Sequence, residues 1–272
     1  MKFANRMDRF GEGVFSMLAQ MKKKKLAEGE TIVDLSIGAP NIAPAPHILK
    51  ALSEACLVPD NYLYAIQDQQ ALLEAVSEWY ARRYGVELNP ETEICSLLGS
   101  QEGLAHIALS IVDEGDVVLV PDPGYPVYST ATMLAGGEPY YMPLLAENGF
   151  LPDLDAIPAD ILKRAKILWL NYPNNPTGAV AKLDFFAKAV AFAKKHDLLI
   201  CHDNAYSEMT YDGYVAPSFL EVPGAKDCAI EFSSCSKFFN MTGWRLGFVV
   251  GNAQAVSTLA RYKSNVDSGA FQ

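Results

Sequence analysis

The stretch RAKILWLNYPNNPTGAVAKLDFFAKAVAFAKKHDLLICHDNAY, residues 164–206, decides the fold. It opens with an apolar run through Ile167, Leu168, Trp169 and Leu170. It then breaks into a turn in which Pro173 and Pro176 bracket Asn174 and Asn175. A helix is expected from about 182 to 195. A second apolar run, LLIC, leads through His202 to Asp203, with Tyr206 three residues on. A strand, a crossover helix and a second strand form the unit of a parallel sheet. The runs are apolar at nearly every position, as in strands covered on both faces.

Outward from this unit the pattern repeats. ICSLLG (94–99) is an apolar run followed by a helix through EGLAHIALSIV (102–112), and DVVLVPDPGYP (116–126) is a strand ending in a turn. CAIEFSSCSK (228–237) and RLGFVVG (245–251) read as two further strands with a polar turn between them. Leu72, Leu73, Val76, Trp79 and Tyr80 form one side of an amphipathic helix over 69–84. Val14, Met17, Leu18, Met21 and Leu26 have helical spacing over 14–26, with the run Lys22–Lys25 near that helix's end as a solvated face. IVDLSIGAPN (32–41) is expected to be a short strand breaking into a Gly-Pro turn. The chain has no internal repeat or low-complexity tract. The fold class is α/β, a three-layer sandwich around a mostly parallel central sheet.

Composition narrows the partners. The 272 residues carry a formal net charge of −10, half are hydrophobic and a fifth are charged. A sizeable core is available, and neither nucleic acid nor an anionic membrane is expected as a main partner. The five cysteines are odd in number and lack CxxC spacing, which predicts neither a disulfide framework nor a zinc site. No metal is expected. The N-terminus lacks the apolar run of a signal peptide, and no stretch is long and apolar enough to span a membrane, so a cytoplasmic protein is expected.

The chemically unusual residues gather just after the strands: Gly99–Glu102, Pro123–Tyr125, Asn171–Gly178, Asp203–Tyr206 and Ser234–Arg245. Open α/β sheets bind ligands outside the carboxyl ends of their strands. Taken singly, each group has a structural explanation. Asp203 reads as a helix cap, Tyr125 as a core aromatic, GSQEG as a cap with a glycine, and Lys237 as a surface lysine. Taken together they match one need. A pyridoxal phosphate site requires a lysine for the aldehyde, a carboxylate for the pyridine nitrogen, an aromatic surface, donors to the phenolic oxygen, and a phosphate cage.

Six motifs then carry a family resemblance. SSCSKFFNMTGWRLG (233–247) is similar to the lysine signature of the class I and II, fold-type I aminotransferases. NYPNNPTG (171–178) resembles that family's asparagine loop, and HDNAYSE (202–208) its aspartate–tyrosine strand end. GSQEGLAHIAL, PDPGYPVY and SIGAPN also match, in the family's order. KSNVDSGAFQ with GWRLGFVVG most resembles the LL-diaminopimelate and alanine aminotransferase-like branch.

The resemblance implies a fold-type I transferase, with residues 1–45 an N-terminal arm and part of a small domain, and 46–272 a pyridoxal phosphate-binding large domain. It implies an aminotransferase working by a two-stage ping-pong cycle on an amino acid and a 2-oxo acid. Lys237 would carry the cofactor and shuttle the substrate proton, Asp203 would pair with the pyridine nitrogen, and Tyr125 would stack on the ring. Asn175 and Tyr206 would donate to the phenolic oxygen. Ser100, Gln101, Ser234, Ser236 and Arg245 would cage the phosphate. Tyr64 matches a tyrosine that reaches the phosphate of a partner subunit, which implies a homodimer with shared sites. Gly38 matches a backbone contact near the substrate carboxylate, and Asn175 is a second substrate-binding candidate.

Two departures stand against the pattern. Gln69 replaces a usual glycine after Tyr64, so a different local turn is expected. Family members also continue well past residue 272. The chain is therefore expected to be truncated at its C-terminal end, without the small domain's carboxylate-binding arginine, whose motif Arg261 does not match. On that expectation it binds cofactor but transaminates poorly. A β-lyase or decarboxylase on the same fold, or an inactive cofactor-binding fragment, remains open as an alternative.

Overall fold

The computed structural model describes residues 1–271. They fall into two compact units, Met1–Asn41 and the chain from Ile42 onward.

The first unit contains helix α1 (Val14–Ala27). Two of the four lysines in its run are paired: Lys22 with Asp34 at 2.6 Å, and Lys25 with Glu28 and Glu30 at 3.3 and 2.7 Å. The strand expected within 32–41 does not form. Val33, Leu35 and Ile37 alternate as strand residues do, yet all three are exposed and no described segment pairs with them. Alternation marks a strand only where a ladder partner takes up its backbone donors and acceptors.

The second unit is built on seven strands, β1 (Ile94–Leu97), β2 (Val117–Asp122), β3 (Glu138–Pro143), β4 (Ala165–Asn171), β5 (Leu199–Asp203), β6 (Ala229–Ser234) and β7 (Gly247–Gly251). Their order across the sheet is β1-β7-β6-β5-β4-β2-β3. Neighbours from β3 to β6 are parallel, whereas β7 runs antiparallel to both β6 and β1. The reversal fixes where the site residues can lie. The carboxyl ends of the other six strands share one edge with the amino end of β7.

The helices are α2 (Pro46–Ala55), α3 (Gln70–Tyr84), α4 (Ser100–Ile111), α5 (Val127–Leu134), α6 (Ala159–Leu162), α7 (Leu183–His196), α8 (Cys235–Phe238) and α9 (Ala253–Lys263). Two apolar cores lie on the two faces of the sheet. Leu168, Leu170 and Ile200 face a core with Val76 and Tyr80 of α3 and Phe186 and Ala189 of α7. Ile167, Trp169 and Cys201 face a core with Leu104 and Ile107 of α4, Tyr128 of α5 and Leu259 of α9. Adjacent strand residues thus enter opposite cores, which is why these strands read as continuous apolar runs.

Gln69 precedes α3 with φ −67° and ψ 130°, an ordinary extended conformation that needs no glycine. At the end of α7, Lys194, Lys195 and His196 sit in the last turn, where cations favour the helix dipole. Glu102 of α4 accepts from Lys263 of α9 at 2.8 Å, and Lys263 also reaches Asp267 at 3.1 Å. The ammonium thereby fills the one acid–imidazole cluster among the described residues, Glu102, His106 and Asp267.

Candidate functional site

The register of the central strands places the first members of the site. Asn171 ends β4 opposite Asp203, which ends β5, so both point to the face shared with Trp169 and Cys201. The Asn171 amide donates to the backbone carbonyls of Asp203 at 2.8 Å and of Pro173 at 3.3 Å. Its oxygen accepts the Asn175 N–H at 2.7 Å. The asparagine loop is therefore fastened to the strand that carries the carboxylate.

Asp203 is buried, and one carboxylate oxygen is held while the other is not. Oδ2 accepts from the Tyr128 hydroxyl at 2.8 Å. Oδ1 is buried without a hydrogen-bond partner. Burial raises the carboxyl above its ordinary value, opposed by the Tyr128 hydrogen bond, the nearby His202, the Ala205 N–H and the charge of Lys237.

Lys237 lies in α8, a single helical turn directly after β6, rather than in a plain polar turn. Burial lowers its pKa, the charge of Asp203 opposes that, and Arg245 adds to it. Its ammonium sits 6.0 Å from the centre of the Tyr206 ring. Tyr125 and Tyr206 are both raised by burial and then by Asp203, and Tyr206 also feels Tyr125. These mutual effects gather Asp203, Lys237, Tyr125, Tyr206 and Arg245 in one electrostatic neighbourhood.

Arg245 enters from the reversed strand. It stands just before β7, donating to Thr242 O at 3.1 Å and to Leu98 O at 3.5 Å. Its guanidinium covers Gly99, the residue before α4. Gly99 has φ +76°, and a Cβ there would meet the Arg245 guanidinium at 2.3 Å. Gly247 is equally confined, since a Cβ would come within 2.8 Å of both Ser100 N and Ser233 O. Two missing side chains thus bring Arg245, the first turn of α4 and the end of β6 together. Ser234 and Ser236 are buried beside them, Ser100 is half-buried and Gln101 is exposed. The segment 235–246 closes at its base, where the Cys235 N–H donates to Leu246 O at 3.1 Å.

One expected site residue of the second unit, Tyr64, lies apart from this cluster. Tyr64 is at the surface, in a groove it shares with Ala65, Gln67 and Ser268–Phe271. Gly38 belongs to the Met1–Asn41 unit, with open space around its Cα.

The comparisons with known proteins agree with this fold. The model of the family described as aminotransferase class I and II matches residues 30–270. This chain belongs to the class I and II aminotransferase family. Among relatives of this aminotransferase-family chain, the LL-diaminopimelate aminotransferase of Moorella thermoacetica is 56% identical over 255 residues, covering 92% of this chain. The LL-diaminopimelate aminotransferase 2 of Trichormus variabilis is 51% identical over the whole chain. Among solved structures, substrate-bound BacF from Bacillus subtilis superposes with a TM-score of 0.93 at 40% identity, covering all of this chain and 69% of BacF. The chain spans 65% of the length of the Moorella relative and 70% of the Trichormus one.

Within this aminotransferase-family fold, sequence reasoning passed over two residues. Tyr128 stands within PDPGYPVY and Asn171 at the start of the asparagine loop, without a role of their own in either motif. The signal for Tyr128 was its position three residues after Tyr125, which is one helical turn. The signal for Asn171 was a polar side chain closing an otherwise apolar strand.

Proposed function

We propose that this chain binds pyridoxal phosphate and moves an amino group between an amino acid and a 2-oxo acid. The observation that carries the reading is Oδ1 of Asp203, a buried carboxylate oxygen without a partner, in the same neighbourhood as a lysine whose burial favours the neutral amine. A buried acceptor left open is costly unless a ligand completes it. A protonated ring nitrogen is such a ligand.

When bound, pyridoxal phosphate supplies an electrophilic carbon for an amine nitrogen and a protonated ring that draws electrons from the substrate Cα. The chain's own residues do the rest. Asp203 holds the proton on the ring nitrogen through Oδ1. Tyr125 covers a ring face, and Asn175 and Tyr206 donate to the phenolic oxygen. Ser100, Gln101, Ser234, Ser236 and Arg245 bind the phosphate, with Gly99 and Gly247 permitting the close approach. Lys237 Nζ, as a neutral amine, would take the proton from the substrate Cα and deliver it to C4′ of the cofactor. Gly38 and Asn175 are the candidate substrate contacts, and Tyr64 serves the phosphate of a second copy. The assembly is a homodimer in the cytoplasm. In keeping with that, no helix among the described residues is long and apolar enough to cross a membrane. LL-diaminopimelate, named for the relatives, is the first amino donor to try.

The test is spectroscopic. Wild-type protein with pyridoxal phosphate should show a borohydride-reducible bond at Lys237, and Lys237→Ala should show none. An amino donor should convert the bound cofactor to its amine form, and a 2-oxo acid should convert it back. A reducible bond persisting in Lys237→Ala removes Lys237 from its role. Release of ammonia or carbon dioxide in place of the reversible cycle favours a lyase or a decarboxylase.

A further inference from the structure

We propose that Tyr128 is a positioning residue of this site: by donating to Oδ2 of Asp203 it leaves Oδ1 as the single oxygen available to a protonated ring nitrogen. The proposal rests on the pyridoxal phosphate reading above and extends it to a residue that touches neither cofactor nor substrate.

Tyr128 is well made for the task. It is 1% exposed, so its hydroxyl cannot turn to water. Its ring stacks on Trp169, centroids 4.7 Å apart and planes 18° apart. Trp169 is itself fully buried on β4 and packs against Phe232 of β6. The Tyr128 carbonyl accepts the Thr132 hydroxyl at 2.7 Å. The ring is thus fixed from both the sheet and its own helix, and the hydroxyl has one acceptor in reach.

The chemistry follows from the asymmetry. A buried carboxylate with both oxygens open takes up a proton readily, because burial penalises the charge. A neutral tyrosine hydroxyl on one oxygen favours the charged form and leaves the second oxygen free. Burial and the charge of Asp203 hold Tyr128 well above the ordinary tyrosine pKa, so it remains the donor. Tyr125 lies one turn earlier, with the Tyr128 N–H donating to Tyr125 O at 3.2 Å. One turn of chain therefore sets both the ring face that Tyr125 offers and the oxygen that Asp203 offers.

Tyr128→Phe keeps the stacking ring and removes only the donor. In the ligand-free protein, carbon-13 NMR of the aspartate carboxyls, with Asp203 assigned by its loss in Asp203→Asn, should show a higher Asp203 pKa in Tyr128→Phe. Pyridoxal phosphate titrations should show about tenfold weaker binding at neutral pH, the size expected for one hydrogen bond to a charged group. The loss should grow as pH falls, because Asp203 then protonates at a higher pH. An unchanged Asp203 pKa, or an affinity loss equal at every pH, overturns the proposal in favour of a packing role. If Tyr128→Phe does not fold, the wild type still decides. Its Asp203 carboxyl carbon should show a hydrogen–deuterium isotope shift from the Tyr128 hydroxyl, and the absence of that shift overturns the proposal. A wild type that takes up no pyridoxal phosphate overturns the cofactor reading, and this inference with it. That outcome is distinct from a wild type and a variant that bind equally.

Discussion

At the scale of single residues, the chain keeps two carboxylates in its interior by two different devices. Asp203 has Tyr128 as its side-chain hydrogen-bond donor, on Oδ2, while Oδ1 is buried without a hydrogen-bond partner. Glu231, on the opposite face of the sheet, is saturated. It accepts from Tyr80 at 2.7 Å and from His202 Nδ1, Ser218 Oγ and Phe219 N at 2.8 Å each. Burial pushes its carboxyl up, but the bond and charge of His202, then Tyr80 and the Phe219 N–H, outweigh this and leave it below its ordinary value. A folded-state pKa below the unfolded one gives stability that is full above the ordinary glutamate value of 4.5 and lost as pH falls through the lower folded value. Glu231→Ala should therefore cost about 3–5 kcal/mol at neutral pH by leaving buried donors unpaired. Denaturant unfolding should show the gap to wild type narrowing as the solution is acidified below that range. An equal gap at all pH values would mean that Glu231 is not ionised in the fold.

Among the elements, α3 supports the lysine from behind. Trp79 packs edge-on to Tyr84 and Phe248, centroids 5.5 and 5.9 Å away, and lies 5.4 Å from Phe238, the last residue of α8. Trp79→Ala should destabilise the protein by about 3 kcal/mol, the lower end for a large aromatic because Trp79 is only half-buried. It should also loosen α8, seen as faster amide exchange at Lys237 and Phe238. Exchange left unchanged there would confine Trp79 to general packing. The element pattern was legible wherever burial on two faces wrote an uninterrupted apolar run, as in β2, β4, β5 and β6, or wherever helical spacing was long, as in α3 and α7. It was not legible where local chemistry and tertiary role diverge. β3 reads EPYYMP, with two prolines that suit only a sheet edge, which is where it lies. α5 is VYSTATML, poor in strong helix formers, and is held by the packing of Tyr128 and Ala131. The candidate site residues at strand ends were readable because a strand exit is visible in sequence. The open oxygen of Asp203 was not, since it depends on where a hydroxyl from α5 arrives.

For the whole molecule, surface and charge set the expectations. The net charge of −10 leaves anion binding to local groups, and Arg245 packed over Gly99 before α4 is the proposed place for it. One stretch of surface is unusual. Leu57, Leu63, Tyr64 and Ile66 lie near one another in sequence, and each is at least 75% exposed. Large apolar side chains left this exposed are candidates for an interaction face. Light scattering coupled to size exclusion should give twice the chain mass, and Leu63→Asp with Ile66→Asp should shift the population toward monomer. A wild type that runs as a monomer at micromolar concentration would remove the shared-site arrangement. The five free cysteines, three of them buried, place no covalent constraint on any of this.

The reversal of β7 has a consequence for how the chain can change over evolutionary time. Residues 235–246 leave β6 at Ser234 and re-enter the sheet opposite it at Gly247, with Cys235 and Leu246 joined at the base. Lys237 and Arg245 stand at the two ends of that closed segment, so the offset between them is set by chain length rather than by side-chain packing. An added residue there would leave the sheet register intact and shift one cation against the other. The same addition beside Gly149, in a surface turn with open space around it, would disturb neither. Tolerance to insertion should therefore be lowest in 235–246, although that segment lies outside every strand of the sheet.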